Sequence, residues 1–265
     1  MDPARGMRHR LLESGIAALL LLCLLLSAVP CRAQALPDSI LLTSGEWPPF
    51  YSAAMPGGGF GNRVVRESFA LAGISTEFMF LPWRRAMSMA DHGPPAGSAG
   101  WLPLKEREAR FLFSDPLFSS DRVFFHRRAV PFIWHSLDDI RDLRVGITLG
   151  SAEEFPFGDV LVGGRGKLEV AANYLAGMKM LIAGRVDVYA CNKAVGLFIL
   201  ANRIGPDADR IVYNPRPILT ETNHLILSRR LPYARTFMDR FNAGLRKLRQ
   251  SGRYDRIRRD YPGLN

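Results

Sequence analysis

Arg107 stands six residues before Phe113-Ser114-Asp115-Pro116, at the end of the short run Trp101-Leu102-Pro103-Leu104-Lys105-Glu106. Its guanidinium is a planar fork that stays charged out of water and matches a carboxylate with two parallel hydrogen bonds. Taken alone, an Arg following Glu106 reads as an exposed helix charge, so its neighbourhood must decide. Gly150-Ser151 opens a helix, where backbone N–H groups form an anion site and the Ser151 hydroxyl serves as a cap with Glu154 as its partner. Trp47, inside Gly45-Glu46-Trp47-Pro48-Pro49-Phe50, is either a flat ring facing a ligand or a plug in its own core. Glu46 beside it offers a carboxylate for a cationic group. Asn192 ends the run Val188–Cys191 with a polar but uncharged side chain.

Other chemistries find no footing. His92, His126, His135 and His224 are scattered, with no pair at metal-ligand spacing, and His9 lies near the start of the chain. No Ser sits in a Gly-x-Ser-x-Gly elbow. Gly57-Gly58-Gly59-Phe60-Gly61 has no strand feeding it and no Lys-Ser/Thr after it, so a phosphate loop is rejected. Cys191 has no nearby cue for thiolate activation and reads as a small core residue. No metal and no cofactor are expected.

The elements that must position these residues alternate. Ser39–Ser44 is a strand, and Val65, Phe69 and Ala72 recur at helical spacing. Thr76–Leu81 is a strand, Trp83–Ala90 a helix, and Ala99–Leu102 a third strand. After a basic strand at Asp121–Arg128, Ser136-Leu137-Asp138-Asp139 reads as a capped helix start. Strands at Arg144–Thr148, Asp187–Cys191 and His224–Ser228 alternate with apolar stripes at Leu175/Met178/Ile182, Ala194/Leu197/Phe198/Ala201 and Phe237/Phe241/Leu245/Leu248. Strand–helix alternation predicts an α/β fold of open, mostly parallel sheets flanked by helices. The stripes are core.

The first 35 residues set the compartment. Arg5, Arg8 and Arg10 precede the apolar run Ile16–Leu26, and small residues follow at Cys31-Arg32-Ala33 and Ala33-Gln34-Ala35. This is the pattern of a cleaved secretory signal peptide. The apolar run is about 11 residues, against roughly 20 needed to span a bilayer. Pro30 directly before Cys31 fits poorly with a lipid-attachment motif. Cleavage after Ala33 or Ala35 removes Cys23 and Cys31 and leaves Cys191 alone, so no intrachain disulfide is expected. It also removes four arginines and two acidic residues, taking the net charge from +10 to +8. The C-terminal arginines Arg253, Arg256, Arg258 and Arg259 lack interleaved stacking residues, so no nucleic acid is expected. The basic excess reads as a solvated surface, with acidic solutes and anionic lipid headgroups as the functional alternatives.

The Glu106-Arg107 turn followed by Phe113-Ser114-Asp115-Pro116 resembles the layout of the bacterial extracellular solute-binding proteins of family 3, the polar-amino-acid type, and the likeness runs over nearly all of the chain after residue 38. It implies a two-lobed periplasmic-binding-protein fold of type 2: lobe 1 from 36–120, lobe 2 from 121–222, and a return to lobe 1 over 223–265. The crossings fall near Leu117–Asp121 and Thr220–Asn223. The resemblance implies that Arg107 grips a ligand carboxylate and that Trp47 stacks on the ligand. It implies further contacts from Gly150, Ser151 and Asn192, with Glu46 available for a cation. Members of the family carry a Thr-x-Thr stretch upstream of the Arg. Leu102 and Leu104 stand there instead, leaving only a backbone contact from Leu102. They also carry an Asp where Asn192 stands, and Asn192 has no charge to offset a ligand ammonium. Leu81-Pro82-Trp83-Arg84-Arg85 resembles the Pro-Trp-x-Arg segment of one branch of the family, with Trp83 and Arg85 either at the cleft rim or in packing.

The implied protein is a monomeric periplasmic binder, not an enzyme, that delivers a carboxylate-bearing solute to an ABC permease in the inner membrane. Two alternatives remain: a membrane receptor as the partner, or an exported prephenate/arogenate dehydratase on the same scaffold, for which Glu46 is the one candidate acid–base group.

Overall fold

A computed structural model describes residues 37–149, 157, 164–261, 263 and 264. Its sheet runs, in spatial order, Ser75–Phe80, Ser39–Ser44, Gly97–Trp101, Leu219–Ser228, Phe118–Arg127, Val188–Asn192, Arg144–Thr148 and Lys167–Ala171, with Phe111–Phe113 on Leu219–Ser228 and Ile211–Tyr213 on Phe118–Arg127. The first half is built from β1 (Ser39–Ser44), β2 (Ser75–Phe80) and β3 (Gly97–Trp101), all parallel, as expected of strands joined by helical crossovers. Helices α1 (Phe60–Ala70) and α2 (Trp83–His92) make those crossovers, and α3 (Lys105–Glu108) is a single turn leading to β4 (Phe111–Phe113). The second half holds β6 (Arg144–Thr148), β7 (Lys167–Ala171) and β8 (Val188–Asn192), again parallel, with α4 (Tyr174–Ile182) between β7 and β8. α5 (Lys193–Ile199) follows β8 without a break, and β9 (Ile211–Tyr213) pairs with β5.

Two ten-residue strands tie the halves together. β5 (Phe118–Arg127) pairs with β8 and β9, and β10 (Leu219–Ser228) pairs with β5 over Leu219–Asn223 and with β3 and β4 beyond it. The ladder of β10 shifts register between His224 and Leu225, where it leaves one half for the other. Asp38–Asn265 forms one compact unit.

Each half has its own apolar filling. Phe124, Trp134, Ile140, Val145, Ile147, Phe157 and Val188 pack together in the second half. In the first, Phe69 of α1 meets Phe241 of α6 (Ala234–Gln250) with ring centroids 4.8 Å apart. Burying each such side chain stabilises by roughly 1.5–3 kcal/mol. The chain closes with α7 (Arg253–Arg259). Among the described residues, no helix is long and apolar enough to cross a membrane.

Most expected elements are present with ends moved by a few residues. The Ser136 start is a 3-10 turn, Leu137–Ile140, with the reciprocal capping bonds of Ser136 and Asp139 in place. The strands β4, β7 and β9 had no forecast. β5 and β10 are longer at their N-terminal ends than the Asp121–Arg128 and His224–Ser228 runs predicted. Phe118–Ser120 and Leu219–Asn223 are polar and mixed in character, and it is their mutual pairing that makes them strand.

Candidate functional site

The loop after β1 folds back on itself through a bridge between Trp47 and Tyr51 and a cis bond between Pro48 and Pro49. Its rings begin an aromatic array. Trp47 and Phe50 lie 4.7 Å apart, and Phe50 stacks flat on Phe118 of β5 at 4.5 Å. Tyr51 meets Trp83 edge-on at 5.9 Å, and Trp83 meets Trp101 edge-on at 5.3 Å. The close fit of Trp83 depends on Gly45, because a Cβ there would lie 2.3 Å from the indole ring. Edge-to-face and offset pairs of this kind add about 0.5–1.5 kcal/mol each beyond burial. Trp83 thus packs with the Trp101 cluster, while Arg85 is exposed. The Glu46 carboxylate is exposed and accepts the Ala53 N–H at 2.8 Å, and its carbonyl accepts from Trp83 Nε1 at 3.3 Å.

Arg107 lies at the far end of this array. It is half-buried, its guanidinium carbon 5.2 Å over the Trp101 ring, and Nη1 donates to the Leu102 carbonyl at 3.0 Å. Both contacts orient the fork, since a cation over an indole is held by the ring's negative face. The groove there has a volume of about 350 Å³ and is lined by Trp83, Trp101, Arg84, Arg107, Arg110 and neighbouring α2 side chains. Arg110 is paired with the buried Asp91 at 2.8 Å.

A second polar centre sits on the crossing strands. Residues that face each other across an antiparallel ladder share a side of the sheet. Phe118 opposes Asn223, Ser120 opposes Glu221, and Arg122 opposes Leu219 on one side and Asn192 on the other. One face therefore carries Ser120, Arg122, Asn192, Glu221 and Asn223. Arg122 Nε bonds Glu221 Oε2 at 2.6 Å, with the two side chains 5% and 9% exposed. Asn192 Oδ1 accepts from the N–H groups of Ala194 and Val195, at 3.1 and 3.3 Å, and so caps α5. Its Nδ2, the Ser120 Oγ and the Asn223 Nδ2 are buried without a hydrogen-bond partner. A cavity of about 260 Å³ opens beside this face, bounded by Phe50, Phe118, Ser120 and Asn192 and by Tyr254 and Leu264 near the C-terminus.

Of the residues singled out in the sequence, Glu46 and Trp47 share the loop after β1, and Leu102 and Arg107 are hydrogen-bonded to each other. Asn192 lies on the crossing-strand face. Gly150 and Ser151 fall outside the described residues. Phe118, Ser120, Arg122 and Glu221 were not singled out. A signal existed: an Arg directly before the apolar run Val123-Phe124-Phe125, in a strand, needs a buried partner. That partner, 99 residues away in sequence, is not visible from the run itself. Among the described residues no cluster of His, Cys, Asp or Glu could hold a metal ion. Burial pushes the Cys191 thiol up to about 12, far from the thiolate range of a reactive cysteine.

The family of bacterial extracellular solute-binding proteins, family 3, matches residues 40–263. No curated protein sequence matches the chain. Among solved structures, a histidine kinase sensor domain with similarity to periplasmic binding proteins superposes with a TM-score of 0.68 at 21% identity, over 86% of this chain and 97% of the other. An ancestral arginine-binding protein bound to arginine gives 0.67 at 22% identity, over 86% and 100%. An ancestral amino-acid-binding protein described as a precursor of cyclohexadienyl dehydratase gives 0.64 at 16%, over 84% and 95%. Likeness at such identities is likeness of fold, and the fold is that of the periplasmic binding proteins.

Proposed function

The chain belongs to family 3 of the bacterial extracellular solute-binding proteins, and on that premise we propose that it captures a small carboxylate-bearing solute between the two halves of its sheet. The observation that carries this reading is the groove around Arg107. Three arginines line it, Arg84, Arg107 and Arg110, the last of them paired with Asp91, and two indoles form its wall. Such a surface attracts an anion by charge and offers apolar area to the rest of the molecule. Arg107 is the carboxylate anchor, oriented by Trp101 and Leu102, with Trp47, Gly150, Ser151 and Asn192 completing the contacts.

The halves are residues 36–120 with 223–265, and residues 121–222. Bending at Leu117–Asp121 and Thr220–Asn223 closes them, and closure strips water from both faces of the ligand. The leader, residues 1–35, directs export to the periplasm. The closed form docks on an ABC permease; a membrane receptor is the other output that the same closure serves. A dehydratase reading has little support, because its one acid–base candidate, Glu46, is exposed and engaged with the Ala53 N–H.

The test is calorimetric. A thermal-shift panel of amino acids, oxo acids and dicarboxylates identifies the strongest ligand, which is then titrated into wild-type protein and Arg107→Ala. Micromolar binding corresponds to about 8 kcal/mol. Loss of a buried Arg–carboxylate pair removes roughly 2–5 kcal/mol of it. Unchanged affinity in the variant removes Arg107 from the site.

A further inference from the structure

We propose that the solute presents an oxygen acceptor, not an ammonium, to Asn192 and Ser120, so that the ligand is an organic acid without an amino group. The inference rests on the binding-protein reading above and narrows its substrate class.

The argument starts from the orientation of one amide. A carboxamide has one end that accepts and one that donates. Two backbone N–H groups at the start of α5 point at Asn192, at 3.1 and 3.3 Å, and only Oδ1 can accept them. Reversing the amide would set donor against donor, so the network fixes Nδ2 on the other side. That NH₂ group belongs to a side chain 1% exposed, on the wall of the 260 Å³ cavity, and it has no partner. Ser120, 9% exposed, lies two residues from Arg122 on the same face of β5 and lines the same cavity, its hydroxyl also unpartnered. Asn192 opposes Arg122 across the β5–β8 ladder, so Ser120 and Asn192 are diagonal neighbours about 7–8 Å apart, a distance that one small polar group spans. Buried polar groups are normally satisfied, so two orphans on one cavity wall indicate a ligand atom between them.

The chemistry of that atom follows. Asn192 Nδ2 can only donate, and the Ser120 hydroxyl can donate as well as accept. Oxo, hydroxyl and carboxylate oxygens satisfy both. A ligand –NH₃⁺ is all donors, so against Asn192 it would lose its own hydration and leave Nδ2 unsatisfied. The charged residues at the cavity do not rescue it. Lys193 and Arg258 line it and are cationic. Asp121 also lines it, but accepts the Thr220 hydroxyl at 2.7 Å, and strand alternation puts its side chain on the face of β5 opposite Ser120 and Arg122.

The experiment is a set of matched titrations into the wild-type protein: 2-oxoglutarate against L-glutamate, pyruvate against L-alanine, and succinate against L-aspartate. In the pair that binds, the acid lacking an amino group is expected to bind at least about tenfold more tightly, the worth of one good hydrogen bond. Asn192→Asp keeps an oxygen for the α5 cap and replaces the donor with a negative acceptor. It is expected to narrow or invert the preference in that pair by about tenfold. Ser120→Ala should weaken the same acid while leaving the melting temperature of the ligand-free protein unchanged, which a purely structural hydroxyl would not do. Preference for the amino acid in wild-type protein overturns this inference and leaves the solute-binding reading standing. Silence from all six probes overturns both.

Discussion

The buried pair between the crossing strands gives the sharpest prediction about stability. Arg122 and Glu221 meet at 2.6 Å with side chains only 5% and 9% exposed, one on β5 and one on β10. Arg122→Met keeps most of the side-chain volume but leaves the Glu221 carboxylate buried without its charge partner. Breaking such a pair from one side costs about 3–5 kcal/mol, because the desolvation of the remaining ion is no longer offset. In a chain of this size each kcal/mol moves the melting temperature by roughly 2–4 °C, so the expected drop is about 6–20 °C. Urea unfolding followed by tryptophan fluorescence, with calorimetry alongside, measures it. Arg122→Met/Glu221→Leu removes both charges and is expected to recover at least about 2 kcal/mol of that loss. A cost below about 1 kcal/mol for Arg122→Met, or a double variant no better than the single one, would refute the burial of this pair between the crossing strands.

Three further outcomes follow. His224 Nδ1 donates to the Ser114 carbonyl at 2.7 Å, so its Nε2 accepts from the Thr222 hydroxyl at 2.9 Å, and burial holds the imidazole below its usual 6.5 despite the Ser114 contact. The unfolded chain then takes a proton that the folded one resists, so stability is full above that value and declines as pH falls below it; urea midpoints between pH 7.5 and 5.5 should show the decline, and His224→Gln should flatten it. Cys191, with its thiol pushed up to about 12, should resist iodoacetamide at pH 8 in the native protein and react only after unfolding, as peptide mapping would show. Gly244 of α6 brings that helix against α1, where an added Cβ would lie 2.0 Å from the Ser68 carbonyl oxygen; Gly244→Ala should cost about 1–3 kcal/mol in denaturant unfolding, and a neutral result would contradict the packing.

The sequence exposes those features whose cause is local. β1, β6 and the stripe Phe237/Phe241/Leu245/Leu248 are set by apolar spacing, and they lie where the spacing puts them. Three short strands escape notice: Phe111–Phe113 and Ile211–Tyr213 are three residues each, too short to show a period, and pair with the ten-residue β10 and β5, while Lys167–Ala171 alternates but leaves its apolar Leu168 and Val170 exposed on the edge of β6. The motif around Arg107 is local too, and its family likeness can be read from a dozen residues. The crossing-strand face is different. Asn192 attracts attention as a neutral residue at a strand end, but the direction of its amide depends on α5 N–H groups that only the folded turn positions. Ser120 and Glu221 are ordinary polar residues in sequence, and they become one surface only when β5 and β10 pair across about 100 residues of intervening chain.

A ligand-bound crystal structure tests the central claim most directly. It should place the solute between the two halves of the sheet, with a carboxylate oxygen about 2.7–2.9 Å from the Arg107 guanidinium. A bound solute lying elsewhere, with Arg107 turned out to solvent, would contradict the account.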